Sequence, residues 1–446
     1  MDSLEARIWP ATTQLAVDGQ MVIGGTFVKD LARDFGTPLF VLDESDVRGR
    51  IAEFARAFTF EDLDCSVHYA SKAFASADVF RWVVEGGLGV DVASGGEMAL
   101  ALAAGVPANR IVLHGNNKSR AELETAVANK ISAIVIDSFD EIIRLQQIVR
   151  HQNDVVDVLI RLTLGVEAHT HEFISTAHED QKFGLSVTSG AAEQAAVAVM
   201  GIPGLRLRGF HSHIGSQIFE PAGFEAAAER ALAFVAYMQR NHDLVTEELD
   251  LGGGLGIAYL PEDDPLSVTL MAQALHDIVI RESARHEIKP PRLSVEPGRA
   301  IVGQSTVTLY EVGTIKPIEL DGGEQRVYIS VDGGMSDNIR TALYDAEYSA
   351  RVASRETIGA PLLSRVVGKH CESGDIVVRD INLPSDIAPG DLLAIAATGA
   401  YHRSMASNYN MLTRPAVVAV KDGEAKLLIR RETEADLLAL DQGLNR

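Results

Sequence analysis

The chain has 446 residues, 46% of them hydrophobic and 23% charged, with a formal charge of −22; that length is enough for two domains of ordinary globular composition. The acid excess and the lack of a basic patch argue against a nucleic-acid partner, and the short, charge-broken apolar runs argue against a membrane span. Residues 1–5 carry no basic stretch ahead of an apolar core, so no secretory signal is expected, and two cysteines, Cys65 and Cys371, form no disulfide framework and suit a reducing cytoplasm.

In chain order, residues 1–36 hold two short strand-like runs, 14–17 and 21–23, around an Asp-Gly turn. This segment is expected to join a domain completed later in the chain. From 37 to 305, short apolar runs alternate with helical patterns. Strands are expected at 39–42, 67–69, 89–92, 111–114, 133–136, 158–164, 207–211, 248–251 and 293–295, with helices such as 97–104, 119–128, 139–151 and 223–241 between them. Such alternation builds crossover units and a parallel sheet. Eight or nine units over roughly 250 residues fit a closed (β/α)8 barrel of the TIM type better than an open doubly wound sheet. From 306 to 446 the runs 306–312, 326–331, 375–378, 391–396 and 416–420 read as strands, with turns at Asp321-Gly322-Gly323 and Pro389-Gly390 and a helical pattern at 432–440. A second, mostly β domain of sandwich or barrel type is expected, formed by both chain ends.

Functional residues of such barrels gather at the carboxyl ends of the strands. Lys72 ends the run Ser66-Val67-His68-Tyr69-Ala70-Ser71-Lys72. A lysine held there partly out of water loses some preference for its charged form. A neutral amine condenses with an aldehyde, and pyridoxal phosphate is the usual aldehyde cofactor. Most lysines are solvated surface residues, so the reading depends on its company. His211-Ser212-His213-Ile214-Gly215-Ser216 follows one strand, Gly252-Gly253-Gly254 another and Glu296-Pro297-Gly298-Arg299 a third. A triple glycine lets backbone N–H groups approach an anion, although a tight turn accounts for it about equally well. Ser216 and the Gly298-Arg299 peptide complete a phosphate cradle. Glu296 suits a pyridine nitrogen, where a carboxylate makes the ring an electron sink, and His213 can stack on that ring. Cys371-Glu372 lies in a glycine-rich turn, and a thiol there can donate a proton. Lys369 and His370 favour thiolate if they approach the sulfur; the common fate of a free cysteine is a small buried apolar residue. His169, His171 and His178 fit no zinc spacing and read as a polar lid, so no metal is assigned.

Together the motifs Tyr69-Ala70-Ser71-Lys72, His211-Ser212-His213-Ile214-Gly215-Ser216, the triple glycine, Glu296-Pro297-Gly298-Arg299, Cys371-Glu372-Ser373-Gly374-Asp375 and Gly399-Ala400-Tyr401 resemble those of the diaminopimelate decarboxylase family, within the fold-type III pyridoxal-phosphate enzymes. The resemblance implies pyridoxal 5'-phosphate as cofactor and decarboxylation of meso-2,6-diaminopimelate to L-lysine as activity. It implies that Lys72 carries the cofactor aldehyde, that His213 stacks on the ring and that Glu296 holds its nitrogen. Ser216, Gly254, Gly298, Arg299 and Tyr401 would hold the phosphate. Cys371 would be the proton donor, supplied from the partner subunit of a homodimer. Arg299, Arg340, Tyr344, Glu372 and Tyr401 would contact the substrate. Two arginines suit a distal carboxylate, which ornithine lacks, and unpaired they would be costly. A decarboxylase of ornithine, lysine or arginine is the competing enzyme, and a cofactor-binding regulatory paralogue the competing non-enzyme. Asn338-Ile339-Arg340-Thr341 and Gly368-Lys369-His370 lack prolines common in the family, and Ala177 stands at a usual glycine in 176–184.

Overall fold

The protein is described from a computed structural model covering residues 7–150, 155–166 and 182–445. The lid histidines His169, His171 and His178, and Ala177, lie outside the described residues. The chain forms two compact units, Arg50–Gly256 with Pro265–Gly298, and Met1–Gly49 with Ile257–Asp264 and Arg299–Arg446.

The first unit is a closed barrel of eight parallel strands: Cys65–Ala70, Gly89–Val92, Ile111–Leu113, Ala133–Ile136, Val156–Thr163, Leu205–His211, Glu248–Asp250 and Arg292–Val295. Each pairs with the next in the chain, and Arg292–Val295 closes the ring against Cys65–Ala70 with Val295 opposite Val67. Gly89–Val92, Ile111–Leu113 and Ala133–Ile136 are buried along their whole length, because helices cover one face and the barrel core the other. Inside, Val112, Ala133, Val135 and Leu159 pack as one cluster. Several of the intervening helices start on serines that cap them with a side-chain hydrogen bond. Ser94, Ser119 and Ser138 accept N–H groups from Glu97, Glu122 and Glu141, satisfying donors that a helix start leaves open. The helix Ala222–His242 buries Phe224, Ala227, Ala228, Ala231, Leu232 and Val235, a stripe at three- and four-residue spacing against the barrel. These constraints fix where each strand ends, and so where the polar residue after it points.

The second unit is mostly β. Its larger sheet runs in the order Ile376–Pro384, Pro361–Val367, Gln325–Val331, Thr306–Glu319, Leu39–Asp43, Ala416–Lys421, Glu424–Ile429. The strand expected at 39–42 is therefore not a barrel strand. Leu39–Asp43 pairs antiparallel with Thr306–Glu319 and parallel with Ala416–Lys421. All five of its residues are buried, which gives a central strand of a covered sheet the same apolar signature as a barrel strand. The N-terminal runs form a small antiparallel sheet of Gln14–Leu15, Met21–Ile23 and Thr26–Phe27. Ile8, Trp9, Met21, Ile23 and Leu31 share one apolar core with Leu39, Val41, Val307, Leu309, Val418 and Val420. Among the described residues no helix is long and apolar enough to cross a membrane.

Candidate active site

At the carboxyl face of the barrel, every strand delivers a polar residue within two residues of its end: Lys72, Asp91, His114, Asp137, Arg161, His211, Asp250 and Glu296. Glu296 is the most tightly surrounded. One carboxylate oxygen sits 2.8 Å from His114 Nε2 and the other 3.3 Å from His211 Nε2. Burial raises a carboxyl's pKa, but the two imidazoles override it and hold Glu296 well below the usual range. Burial drives His211 down to about 4, against the pull of Glu296. In His114, burial is outweighed by Asp91 and Glu296, so its pKa is raised. Burial pushes Asp91 up to about 7, eased by His114. The ligand atoms of His114, His211 and Glu296 lie within 4.8 Å of one another, a spacing a metal could use. The carboxylate-to-imidazole contacts already account for the grouping, and we assign no metal.

His114 and Asp91 were absent from the motifs. His114 closed an expected strand, and that strand-end position was the available signal. Its loop is held from below by Lys118, whose buried ammonium donates to Gly115 O at 2.7 Å, Val135 O at 2.5 Å and Glu141 Oε1 at 2.8 Å.

Lys72 stands where expected but is exposed, rather than partly out of water: its strand ends at Ala70 and the lysine projects from the turn beyond it. Its charge still reaches the site. Burial and then Lys72 push the His213 imidazole well below its usual range, and Lys72 helps to ionise Asp91. The backbone ties these parts together. Ser71 N–H donates to Asp91 O at 3.0 Å and Ala70 N–H to Pro297 O at 3.1 Å.

The triple glycine forms a tight cradle. Gly253 N–H donates to His213 Nδ1 at 3.3 Å, and Gly252 N–H to Asp250 Oδ1 at 2.7 Å. A Cβ on Gly253 would stand 2.1 Å from Glu296 O, and one on Gly254, where φ is +115°, 2.4 Å from Gly215 O. Only glycine permits such backbone approach. The barrel face thus offers an accessible amine, a flat neutral imidazole, a carboxylate kept ionised and a glycine-lined turn. This set of groups fits pyridoxal phosphate, which presents an aldehyde, a flat ring with a basic nitrogen, and an anion.

The second unit holds a separate set. Arg299 and Arg340 are only 6% and 4% exposed. Arg340 Nη1 donates to Tyr259 Oη at 3.0 Å and Tyr348 Oη at 2.6 Å, and Arg299 Nη1 donates to the same Tyr259 oxygen. The Arg299 guanidinium lies 4.8 Å from the Tyr401 ring centre, a cation–π distance. Tyr348 thus reaches Arg340, and Tyr344, expected at the substrate, is half-buried at the end of the short helix Arg340–Tyr344. His402 packs edge-on to Tyr348 at 5.3 Å and donates from Nδ1 to Ala400 O at 2.9 Å. Burial and then Arg340 hold its pKa well below the usual value. Arg340 Nη1 thus spends its hydrogen bonds on two phenol oxygens, and both guanidiniums are buried.

Cys371 is exposed, not a buried apolar residue, as is Glu372. His370 does not turn its ring on the thiol. Its Nδ1 donates to Asn410 Oδ1 at 3.2 Å, and its Nε2 accepts from the Ser336 hydroxyl at 2.8 Å. Asn410 Oδ1 also accepts from Cys371 N–H at 3.1 Å, so the histidine shapes the turn that carries the cysteine.

With this geometry in place, comparison with known proteins is informative. Residues 44–303 match the family model described as "Pyridoxal-dependent decarboxylase, pyridoxal binding domain". The chain is 54% identical to the diaminopimelate decarboxylase of Mycobacterium leprae over 442 residues, 98% of this chain and 93% of the relative. It is 45% identical to that of Bacillus subtilis over 423 residues, 95% of each. The crystal structure of diaminopimelate decarboxylase from M. jannaschii in co-complex with L-lysine superposes with a TM-score of 0.89 at 32% identity, covering 96% of this chain and 97% of that one.

Proposed function

Since the chain belongs to the pyridoxal-dependent decarboxylases, we propose that it releases carbon dioxide from meso-2,6-diaminopimelate and leaves L-lysine, the last step of lysine biosynthesis. Pyridoxal phosphate, when bound, supplies the electron sink for the pair left behind as the carboxylate departs. The protein's part is to hold, orient and deliver protons. Lys72 Nζ is the amine that would hold the cofactor aldehyde. Glu296, ionised between His114 and His211, holds a proton at the pyridine nitrogen. His213 supports the ring face. Ser216, Gly254, Gly298, Arg299 and Tyr401 hold the phosphate. Cys371 Sγ gives a proton to the carbon that has lost its carboxylate.

The observation that carries the substrate is the buried arginine pair. Arg299 and Arg340 receive the carboxylate of the end that is not cleaved, and Glu372 its ammonium, with Tyr344 and Tyr401 at the edges of the site. A substrate without a distal carboxylate would forgo charge-assisted hydrogen bonds to these guanidiniums, worth about 1.5–3 kcal/mol. Cys371 and Glu372, exposed in their own chain, serve the site of a second copy in a cytoplasmic homodimer. Carbon dioxide release from meso-diaminopimelate, ornithine, lysine and arginine, each with and without added pyridoxal phosphate, tests the reading. Cofactor-dependent release from diaminopimelate at least about a hundredfold above the others is expected. Equal release from ornithine would defeat it.

A further inference from the structure

We propose that Tyr259 is a positioning residue that holds the Arg299 and Arg340 guanidiniums together as one receptor for the distal carboxylate. The inference rests on the substrate reading above and deepens it.

Two like charges out of water repel, and nothing in either side chain brings them to one place. Tyr259 does. Its phenol oxygen accepts N–H groups from both Arg299 and Arg340. Both guanidiniums also stand over its ring, 5.8 Å and 5.1 Å from the centre, within cation–π range. Tyr348 takes a second N–H from Arg340 and stands perpendicular to Tyr259 at 5.3 Å, so the ring cannot swing away.

The backbone of Tyr259 is fixed at both ends. Its N–H donates to Asp263 Oδ2 at 2.8 Å, and its carbonyl accepts from Ser349 Oγ at 2.8 Å. The segment that carries it, Ile257–Asp264, leaves the barrel sequence and packs with the mostly β unit before the chain returns at Pro265. Such a detour, with a 6%-exposed tyrosine spanning two buried cations, presents the fork geometry that suits a carboxylate. A phenol oxygen accepting from two cations also remains an O–H donor, a third contact for the same anion.

The test uses cofactor-loaded protein and two ligands of matched length, L-lysine with one carboxylate and 1,5-diaminopentane with none. Tyr259→Phe keeps the ring and removes the oxygen. L-lysine affinity is expected to fall about ten- to a hundredfold while 1,5-diaminopentane stays within about twofold. With meso-diaminopimelate the loss should fall on KM, with kcat nearly kept. Tyr348→Phe, which removes an oxygen that accepts from Arg340, should weaken L-lysine less. Equal losses for both ligands, no loss for L-lysine, or a variant that does not fold would each overturn the proposal, the last by making the hydroxyl purely structural. Failure of the unaltered enzyme to act on diaminopimelate would sink the substrate reading instead, and the ligand comparison would still be legible.

Discussion

A buried carboxylate ordinarily takes up a proton, yet Glu296 keeps its charge because two imidazoles stand at its oxygens. The proton demand is passed to Asp91, which burial pushes up to about 7. The consequence for stability has a definite sign. An acid whose folded pKa is raised contributes stability that is complete below its ordinary value of about 3.9 and is lost as pH rises through the folded value. His114, also raised, acts in the same sense. Glu296, depressed, acts in the opposite sense, and its contribution fades only in acid, below about 4.3. In cofactor-free protein Asp91 should therefore subtract unfolding free energy between pH 4 and about 7, while the depressed His211 and His213 add it, and Asp91→Asn should make the net slope with pH more positive. Urea unfolding at several pH values reads the slope directly; the same slope in both proteins would show that Asp91 does not set it.

The elements near the site work by close approach rather than by side-chain contact. The turn Gly252-Gly253-Gly254 touches the Glu296 and Gly215 backbones where any Cβ would intrude. Gly254→Ala forces a residue into a left-handed conformation worth about 1–3 kcal/mol of strain and adds a clash with a carbonyl. Pyridoxal phosphate binding, followed by cofactor absorbance, should weaken by about tenfold or more, with the far-ultraviolet circular dichroism of the barrel kept. Unaltered cofactor affinity would mean that the turn is only a turn. Motifs of this kind were legible in the sequence because their chemistry lies in adjacent residues. Lys72, His213, Glu296 and the glycines all ended strands that the apolar pattern located. Tyr259 was not legible: it follows the triple glycine without periodicity or motif, and its meaning comes from Arg340, 81 residues away. Tyr348 was missed for a related reason. The short helix Arg340–Tyr344 ends at Tyr344, and the left-handed Asp345 at its C-cap turns the chain so that the later tyrosine comes back to the arginine.

At the scale of the whole molecule, the barrel was legible as eight alternating units, while the ownership of Leu39–Asp43 was not. Short apolar strands look alike, and the partners of this one lie at Thr306–Leu309 and Ala416–Val420, separations no local pattern encodes. The proposed shared-site homodimer predicts complementation. Lys72→Ala and Cys371→Ala proteins, each inactive, should on mixing and subunit exchange recover about a quarter of normal activity, because half the dimers are mixed and each has one intact site. Activity that stays at zero after exchange, with mixed dimers shown to form, would place both residues in sites built from single chains.

The same strand has a further consequence for synthesis. Leu39–Asp43 emerges from the ribosome early, but both strands that flank it are made after the whole barrel. Until then its two hydrogen-bonding edges and the four apolar side chains of Leu39, Phe40, Val41 and Leu42 have no home, and an extended greasy ribbon of that kind invites wrong neighbours. The beginning of this polypeptide must be kept apart from other nascent chains until its end arrives to receive it.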